Sequence, residues 1–137
     1  KRVIPDLLGN ALTNQNIMLY SDGKATRSFC YIADATLGYL KVLLSRFNGE
    51  VFNVGNDQEE ISMANLAKLI IGLTNPKLKL VYKKSHEKEY LTDNPQRRCP
   101  DLTKIKIKLK YHPAYSLKEG IKRTILWHRL QNGKQKI

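Results

Sequence analysis

The hydrophobic positions of this chain recur with two different periods, and the longer period predicts most of its structure. Apolar residues that are three and four positions apart lie on one face of an α-helix. Met63, Leu66, Ala67 and Ile70 have this spacing and indicate an amphipathic helix. The same criterion predicts helices over residues 4–13, 34–47, 63–74, 102–109 and 117–130.

Polar residues that suit helix ends flank these stretches. Asp34 and Ser62 stand where a side-chain oxygen can accept a hydrogen bond from the first turn of a helix. Asp101 has the same place before the fourth helix, and residues 116–119 (Ser-Leu-Lys-Glu) match a capping box. The pair Asn48-Gly49 is expected to end the second helix.

Short apolar runs between turn residues predict the strands. Ser21, Asp22 and Gly23 form a typical turn, and the run after it is rich in β-branched and aromatic residues. A charged loop is expected over 83–96, and the polar tail over 131–137 is expected to fray. Short strands interleaved with helices predict one α/β domain over 1–137. The strands are predicted over residues 17–20, 26–32, 51–54 and 78–82.

Composition fits a globular protein. The chain has 137 residues, of which 42% are hydrophobic, and this is enough for a core of its own. The longest apolar run is too short to span a bilayer. Two cysteines, Cys30 and Cys99, lack metal-ligand spacing and suit a reducing compartment, so we expect a cytoplasmic protein. The first residue, Lys1, is not Met, and we expect the chain to derive from a longer one.

The net charge of +12 is open to two interpretations. A basic domain can bind nucleic acid or a small polyanion. The densest lysines, Lys104, Lys106, Lys108 and Lys110, would be spread around a helix rather than form one stripe, and no aromatic residues are interleaved as a stacking platform requires. The favoured interpretation is a solvated surface whose acidic counterweight lies outside this sequence. A basic nucleic-acid-binding module is the alternative.

No group in this sequence has the context of a catalytic residue. Tyr20 and Lys24 have the spacing of a helical acid–base pair, but the turn between them would keep the two side chains off one helical face. His86, His112 and His128 have no metal-ligand partners at suitable spacing. Neither a Gly-x-Gly-x-x-Gly turn nor a Walker loop is present. We therefore expect no catalytic residue, no cofactor-binding residue and no metal site in this chain.

Two arginines are the strongest ligand candidates. Arg27 lies between a turn and an apolar strand, where a rigid guanidinium fork suits phosphate oxygens. Arg98 lies in a segment bounded by prolines, and joint phosphate binding would explain both residues. Tyr20 can offer a ring to a nucleobase or be an ordinary strand residue. Asn53 either fixes a loop or reaches ligand oxygens.

Four segments, in order, resemble the extended short-chain dehydrogenases/reductases that act on nucleotide sugars, the NAD-dependent epimerase/dehydratase family. Residues 20–34 resemble the family's Tyr-Gly-x-Gly-x-x-x-Arg-x-Phe-x-Tyr-(Val/Ile)-x-Asp segment. Ser21 replaces its first glycine, and Ala25 stands where many members have glutamine. The likeness is closest to UDP-glucuronate decarboxylases, with dTDP-glucose 4,6-dehydratases and 4-epimerases as near relatives. The other three segments are residues 49–56, 94–104 and 111–120.

This resemblance implies a role for each candidate. It assigns Arg27 and Arg98 to the diphosphate of a UDP- or dTDP-sugar, Tyr20 to the nucleobase region and Asn53 to the substrate region. In the family a Rossmann half comes first and binds NAD, so the chain would correspond to the C-terminal, substrate-binding part with the Rossmann half missing. Such a piece is expected to be inactive alone.

The resemblance also has a consequence for assembly. Residues 51–54 would be an edge strand without its neighbours, and the helix over 34–47 would have an exposed apolar face. Both features favour pairing with another copy. We therefore expect a homodimer or a self-associating piece.

Overall fold

In the computed structural model, which describes residues 2–83 and 95–134, helices alternate with short strands. The helices are α1 (Val3–Leu12), α2 (Ile32–Leu43), α3 (Met63–Thr74), α4 (Thr103–Leu109) and α5 (Leu117–Lys134). The strands are β1 (Ile17–Leu19), β2 (Thr26–Ser28), β3 (Glu60–Ser62), β4 (Leu80–Tyr82) and β5 (Arg97–Arg98). The α/β fold class predicted from the sequence is confirmed.

The strands form two small sheets. β1 and β4 pair in parallel, with Ile17 opposite Leu80. The other sheet has the order β3-β2-β5. Within it β2 runs antiparallel to β3 and parallel to β5, and Arg27 has Ile61 on one side and Arg98 on the other. This sheet therefore brings together two residues that are 71 positions apart (98 minus 27) in the sequence.

The main core lies where α1, α3 and α5 pack together around β1. A smaller core surrounds Tyr111, whose hydroxyl donates a hydrogen bond to the carbonyl oxygen of Gly55 at 2.8 Å. Burying this much apolar surface is the main stabilising contribution to the fold. The buried residues of the main core include Leu7, Leu8, Ile17, Leu66, Ile70, Ile121 and Ile125, and those of the smaller core are Leu102, Ile105 and Tyr111.

Two of the predicted helix caps, Ser62 and Ser116, are confirmed by their hydrogen bonds, whereas Leu102 and not Asp101 holds the cap position of α4. The Ser62 hydroxyl accepts the amide of Asn65 at 3.2 Å, and α3 begins one residue later. The Ser116 hydroxyl accepts the amide of Glu119 at 3.2 Å at the start of α5. The Asp101 carboxylate accepts the amide of Thr103 at 2.8 Å, at the first residue of α4. These side chains satisfy amide groups that have no partner within the helix.

The prediction for Asp34 as a helix cap is wrong. Tyr31 holds the cap position of α2, and Asp34 is the third helical residue, only 3% exposed. Its two carboxylate oxygens accept the amides of Ala114 and Tyr115, each at 3.0 Å. A buried carboxylate needs such donors. Asp34 therefore ties α2 to the segment before α5.

The second helix also ends earlier than predicted. α2 stops at Leu43 instead of continuing to residue 47. The Ser45 hydroxyl donates to the Val42 carbonyl at 2.8 Å and accepts the amide of Phe47 at 3.3 Å. Such local side-chain bonds compete with helical ones, and they explain the early stop.

Residues 51–54 do not form the predicted strand. The Val51 carbonyl accepts the ammonium of Lys104 at 2.8 Å, and the Asn53 amide donates to the Asp101 carbonyl at 3.1 Å. Side-chain bonds thus tie this stretch to Lys104 and Asp101. The edge-strand prediction is accordingly dropped for the described residues.

The remaining strand predictions differ mainly in length. The run predicted over 26–32 is a strand only over Thr26–Ser28, where β3 pairs with it. β3 and β5 had not been predicted. Residues 84–94 of the predicted charged loop lie outside the described residues. α5 continues to Lys134, past the expected start of the frayed tail, and residues 135–137 are outside the described part.

Candidate anion-binding site

The parallel pairing of β2 and β5 places Arg27 beside Arg98. They are direct partners across the ladder, so their backbones are separated by about 4.8 Å, the usual distance between strands. Arg27 is half-buried, and its Nη1 donates to the Thr26 carbonyl at 2.6 Å. Arg98 is exposed. The pairing thus places two basic residues side by side on neighbouring strands.

Arg97 has a different environment from Arg98. Its Nε lies 3.0 Å from each carboxylate oxygen of Glu60, and its Nη2 lies 2.8 Å from Oε2. The Thr26 hydroxyl donates to the same carboxylate. The hydrogen bonds from Thr26 and Arg97 lower the pKa of Glu60, and that carboxylate in turn raises the pKa of Arg97. Arg97 is thus bound to an acidic residue of β3.

Neighbouring residues of a strand point to opposite faces of the sheet. Because Thr26, Arg97 and Glu60 bond to one another, they share one face. Arg27 and Arg98, the next residues along β2 and β5, belong to the other face. The sheet therefore separates a structural arginine from a ligand candidate, although the two are adjacent in the sequence.

An open groove of about 500 Å³ lies at the carboxyl ends of these parallel strands. Ligands of α/β proteins bind preferentially at such strand ends. The groove contains one arginine from each face of the sheet, and the Ser28 hydroxyl beside it donates to the Asn56 carbonyl. The lining residues are Ser28, Arg97, Arg98, Cys99 and Pro100.

The other two predicted site residues lie elsewhere. Tyr20 follows β1 and is 49% exposed. Asn53 lines a second, mainly apolar groove of about 600 Å³ together with residues of α2. Its side-chain amide donates to the Asp101 carbonyl, so its structural role is to fix a loop. The structure brings together Arg27 and Arg98, but it does not bring Tyr20 or Asn53 into the 500 Å³ groove.

The turn before β2 explains why Tyr20 and Lys24 do not form a helical pair. The Asp22 carboxylate accepts the Lys24 amide at 3.0 Å, and the Ser21 hydroxyl accepts the Gly23 amide at 3.2 Å. Gly23 has a φ of 71°, which belongs to the left-handed region. The sequence interpretation of this stretch as a turn is confirmed.

The histidines and cysteines show no arrangement for bond chemistry. His112 is exposed, and His128 contacts the ring of Trp127. His86 lies outside the described residues. Burial raises the pKa of the Cys30 thiol, which disfavours the reactive thiolate. Within residues 2–83 and 95–134, no three His, Cys, Asp or Glu side chains form a group able to hold a metal ion.

Three lysines of α4 form ion pairs with acids of the loop before β3. Lys104 and Lys108 both pair with Glu50, at 3.1 and 2.7 Å, and Lys106 pairs with Asp57 at 2.5 Å. The net charge of +12 already includes these two acids, so a counterweight outside this sequence stays a prediction. These side chains also fix the loop before β3 on α4.

In the part of the chain that is described, no helix is long and apolar enough to cross a bilayer.

Sequence reasoning missed Glu60 as a functional candidate. Its strand is only three residues long, too short for an alternating pattern to be recognised. The chain has 24 basic and only 12 acidic residues, and Glu59 and Glu60 are two acids side by side. This local concentration of acids was the one sign in the sequence that pointed to Glu60. The Glu59 carboxylate accepts the amide of Leu117 at the start of α5. The two neighbouring acids thus have two separate structural partners.

Comparison with known proteins gives a consistent family. Residues 1–55 match the model of the NAD dependent epimerase/dehydratase family. A UDP-N-acetyl-alpha-D-glucosaminuronate decarboxylase of Bacillus cytotoxicus is 36% identical over 130 residues, which are 93% of this chain and 40% of that protein. UDP-glucuronic acid decarboxylase 4 of Arabidopsis thaliana is 32% identical over 120 residues, covering 88% of this chain and 26% of that protein.

A solved structure extends the likeness to the fold. UDP-glucose 4-epimerase from Thermotoga maritima, determined with UDP-glucose, matches with a TM-score of 0.83 at 26% identity. The match covers 95% of this chain and 40% of that one. The chain thus spans two fifths or less of the length of the proteins that it matches here.

Proposed function

This chain belongs to the NAD dependent epimerase/dehydratase family, and we propose that it supplies the nucleotide-sugar-binding part of an NAD-dependent enzyme. A UDP-glucuronate decarboxylase-like reaction is favoured, because two curated relatives are named as UDP-sugar decarboxylases. A dTDP-glucose 4,6-dehydratase or a nucleotide-sugar 4-epimerase is the alternative within the family.

The pairing of Arg27 with Arg98 supports this function most strongly. Arg27 and Arg98 are partners on neighbouring strands, and a guanidinium group attracts the negative charge of a diphosphate. A guanidinium also donates two parallel hydrogen bonds, which match the spacing of phosphate oxygens. The open groove beside Arg98 leaves room for such a ligand.

The remaining roles follow from this placement. Tyr20 is proposed to lie near the nucleobase, since its ring is half exposed beside the turn that leads into β2. Asn53 is proposed to affect the substrate region indirectly, through its bond to the backbone of Asp101. The segment that carries Arg98 continues directly into Asp101, so a shift of this loop would reach the groove.

NAD binding is proposed for residues outside this sequence. The chain has no glycine-rich phosphate turn, and Tyr20 and Lys24, which have the spacing of a Tyr-x-x-x-Lys pair, are separated by a turn. When bound, NAD would take a hydride from the sugar and return it after the reaction. The 137 residues would contribute affinity and orientation, and we propose that they are inactive alone.

The test is titration calorimetry of the enzyme with UDP-glucuronate and with UDP. Arg27→Ala and Arg98→Ala should each weaken UDP binding by about 10- to 100-fold, the usual effect of losing a charge-assisted bond. Arg129→Ala removes the same charge from an exposed position of α5 and serves as the matched control. An unchanged UDP affinity in both Arg27→Ala and Arg98→Ala would contradict the proposed diphosphate site.

A nucleic-acid-binding module remains the alternative from another class. It predicts oligonucleotide affinity that falls steeply with salt, because phosphate contacts release counterions. The paired lysines of α4 argue against it, since their charges are already engaged by Glu50 and Asp57. Tight, salt-dependent oligonucleotide binding without UDP binding would favour this alternative.

A further inference from the structure

We infer that Glu60 is a positioning residue for the proposed diphosphate site, holding β5 in the register that places Arg98 beside Arg27. The inference rests on the proposed function and deepens it. Glu60 lies on β3, at the edge of the sheet opposite β5, with β2 between them. The side chains of Glu60 and Arg97 meet across the central strand β2.

The contacts of Glu60 form a clamp across three strands. Arg97 approaches its carboxylate with Nε and Nη2, and the Thr26 hydroxyl of the central strand donates to the same group. Exposed ion pairs usually contribute little, but a two-pronged arginine–carboxylate contact within a network is the recognised exception. Each of the three strands thus contributes one member of the clamp.

β5 depends on this clamp because it is very short. It contains only Arg97 and Arg98, and its first contact with β2 is the bond from the Thr26 amide to the Gln96 carbonyl at 2.8 Å. Such a short ladder specifies its register weakly by itself. The side-chain bonds that hold Arg97 opposite Thr26 therefore help to fix the register of β5 on β2.

The register decides which arginine faces the ligand. A slip of one residue along a strand turns every side chain to the opposite face of the sheet. In β5 this slip would exchange Arg97 and Arg98, placing Arg97 beside Arg27 and Arg98 on the face of Glu60. Glu60 and Thr26 together favour the observed register, because Arg97 lies opposite Thr26, whose hydroxyl binds the same carboxylate. A slipped Arg98 would lie opposite Ser28, whose hydroxyl is bound to the Asn56 carbonyl instead.

The charge of Glu60 has a second effect. It compensates the charge of Arg97, which lines the groove together with Arg98. The same bonds lower the pKa of Glu60, which keeps it ionised at neutral pH. A purely structural pair would stabilise the protein without affecting ligand affinity, and this difference can be measured.

The experiment measures UDP affinity and unfolding in the enzyme and its variants. Glu60→Ala should weaken UDP binding about 5- to 10-fold, and the charge exchange Glu60→Arg with Arg97→Glu should recover most of the loss. In an Arg98→Ala background, Glu60→Ala should have no further effect on UDP binding. Glu59→Ala is the matched control, since Glu59 binds the start of α5: it should lower stability and leave UDP affinity unchanged.

The outcomes separate the two proposals. If wild type binds UDP and Arg98→Ala weakens it, but Glu60→Ala does not, the positioning role is overturned while the site remains. The role is also overturned if Glu60→Ala weakens UDP binding equally with and without Arg98. Failure of the wild type to bind UDP would overturn the proposed function and the inference with it. If Glu60→Ala does not fold, Glu60→Gln, which preserves the volume and removes the charge, gives the same comparison.

Discussion

Adjacent residues in this sheet have separate chemical roles because the strand alternates between faces. Both Arg97 and Arg98 line the groove, but Arg97 is bound to Glu60, whereas Arg98 is paired with Arg27 across the sheet. A phosphate ligand needs donors that are not already committed to an acid. The structure therefore favours Arg98 over Arg97 as the candidate for phosphate binding.

The two cysteines allow a test of the groove by labelling. Burial raises the pKa of Cys30, so it remains a protonated, weakly reactive thiol at pH 7.5. Labelling with a maleimide at this pH should therefore occur first at Cys99, and UDP should slow it because Cys99 lines the groove. Raising the pH toward 10 should increase the labelling of Cys30, since more of it becomes thiolate.

Mass spectrometry of the labelled protein checks this prediction, with Cys99→Ser as the control for assignment. Uridine should not protect Cys99, since it lacks the diphosphate. Faster labelling of Cys30 than of Cys99 at pH 7.5, or equal protection by uridine, would contradict the prediction.

Residue type and local sequence were sufficient to predict Arg27 and Arg98 as ligand candidates, since one lies between a turn and an apolar run and the other between prolines. Their adjacency was not predictable, because it depends on a pairing between strands far apart in the sequence. Asp34 shows the opposite case: its place before an apolar run suggested a cap, but its partners are the amides of Ala114 and Tyr115. Local sequence contains no sign of such distant partners.

At the scale of elements, helices and strands differ in how well the sequence predicts them. α3 has an apolar face, a serine cap and a stop, so three independent signals agree. β5 is the pair Arg97–Arg98, without an apolar residue, and only its neighbours make it a strand. The run over 51–54 is the opposite case. It has the composition of a strand, but its bonds are to the Lys104 ammonium and the Asp101 carbonyl and not to another strand.

The contact between α2 and the smaller core gives a prediction for Gly38. A Cβ at this position would lie 2.3 Å from Val54 Cγ1 and 3.1 Å from Tyr111 Cε2. Gly38→Ala should therefore lower the free energy of unfolding by about 1–3 kcal/mol through overpacking. This cost exceeds the gain of about 0.5–1 kcal/mol that alanine gives a helix.

Urea denaturation measures this change. Gly72→Ala in α3 is the matched control, because a Cβ there meets no atom within 4 Å. It should stabilise the protein slightly. A Gly38→Ala protein as stable as wild type would show that α2 does not pack closely on Tyr111.

At the scale of the whole molecule, charge and apolar surface are distributed unevenly. Three lysines of α4 pair with acids, whereas Leu43, Leu44 and Val51 are 77%, 81% and 81% exposed. Leu43 lines the 600 Å³ groove together with Tyr39 and Leu40 of the same helix, which are 63% and 47% exposed. A contiguous apolar surface of this kind favours association.

Self-association of the 137-residue chain therefore stays a prediction, although its basis is now the apolar face of α2 and not an edge strand. Leu43→Lys should shift the chain toward monomer and leave its stability almost unchanged, because the side chain is mostly exposed. Sedimentation equilibrium over a range of concentrations measures this. A wild-type chain that stays monomeric at high concentration would contradict the prediction.

The most direct measurement of the central claim is NMR of arginine side chains during titration with UDP. The Nε–Hε signals of Arg27 and Arg98 should shift together and saturate with one affinity, while the signal of Arg129 stays in place. Uridine, which has the base and the ribose but no diphosphate, should shift neither the Arg27 signal nor the Arg98 signal. UDP binding that leaves both Arg27 and Arg98 unperturbed would contradict the account.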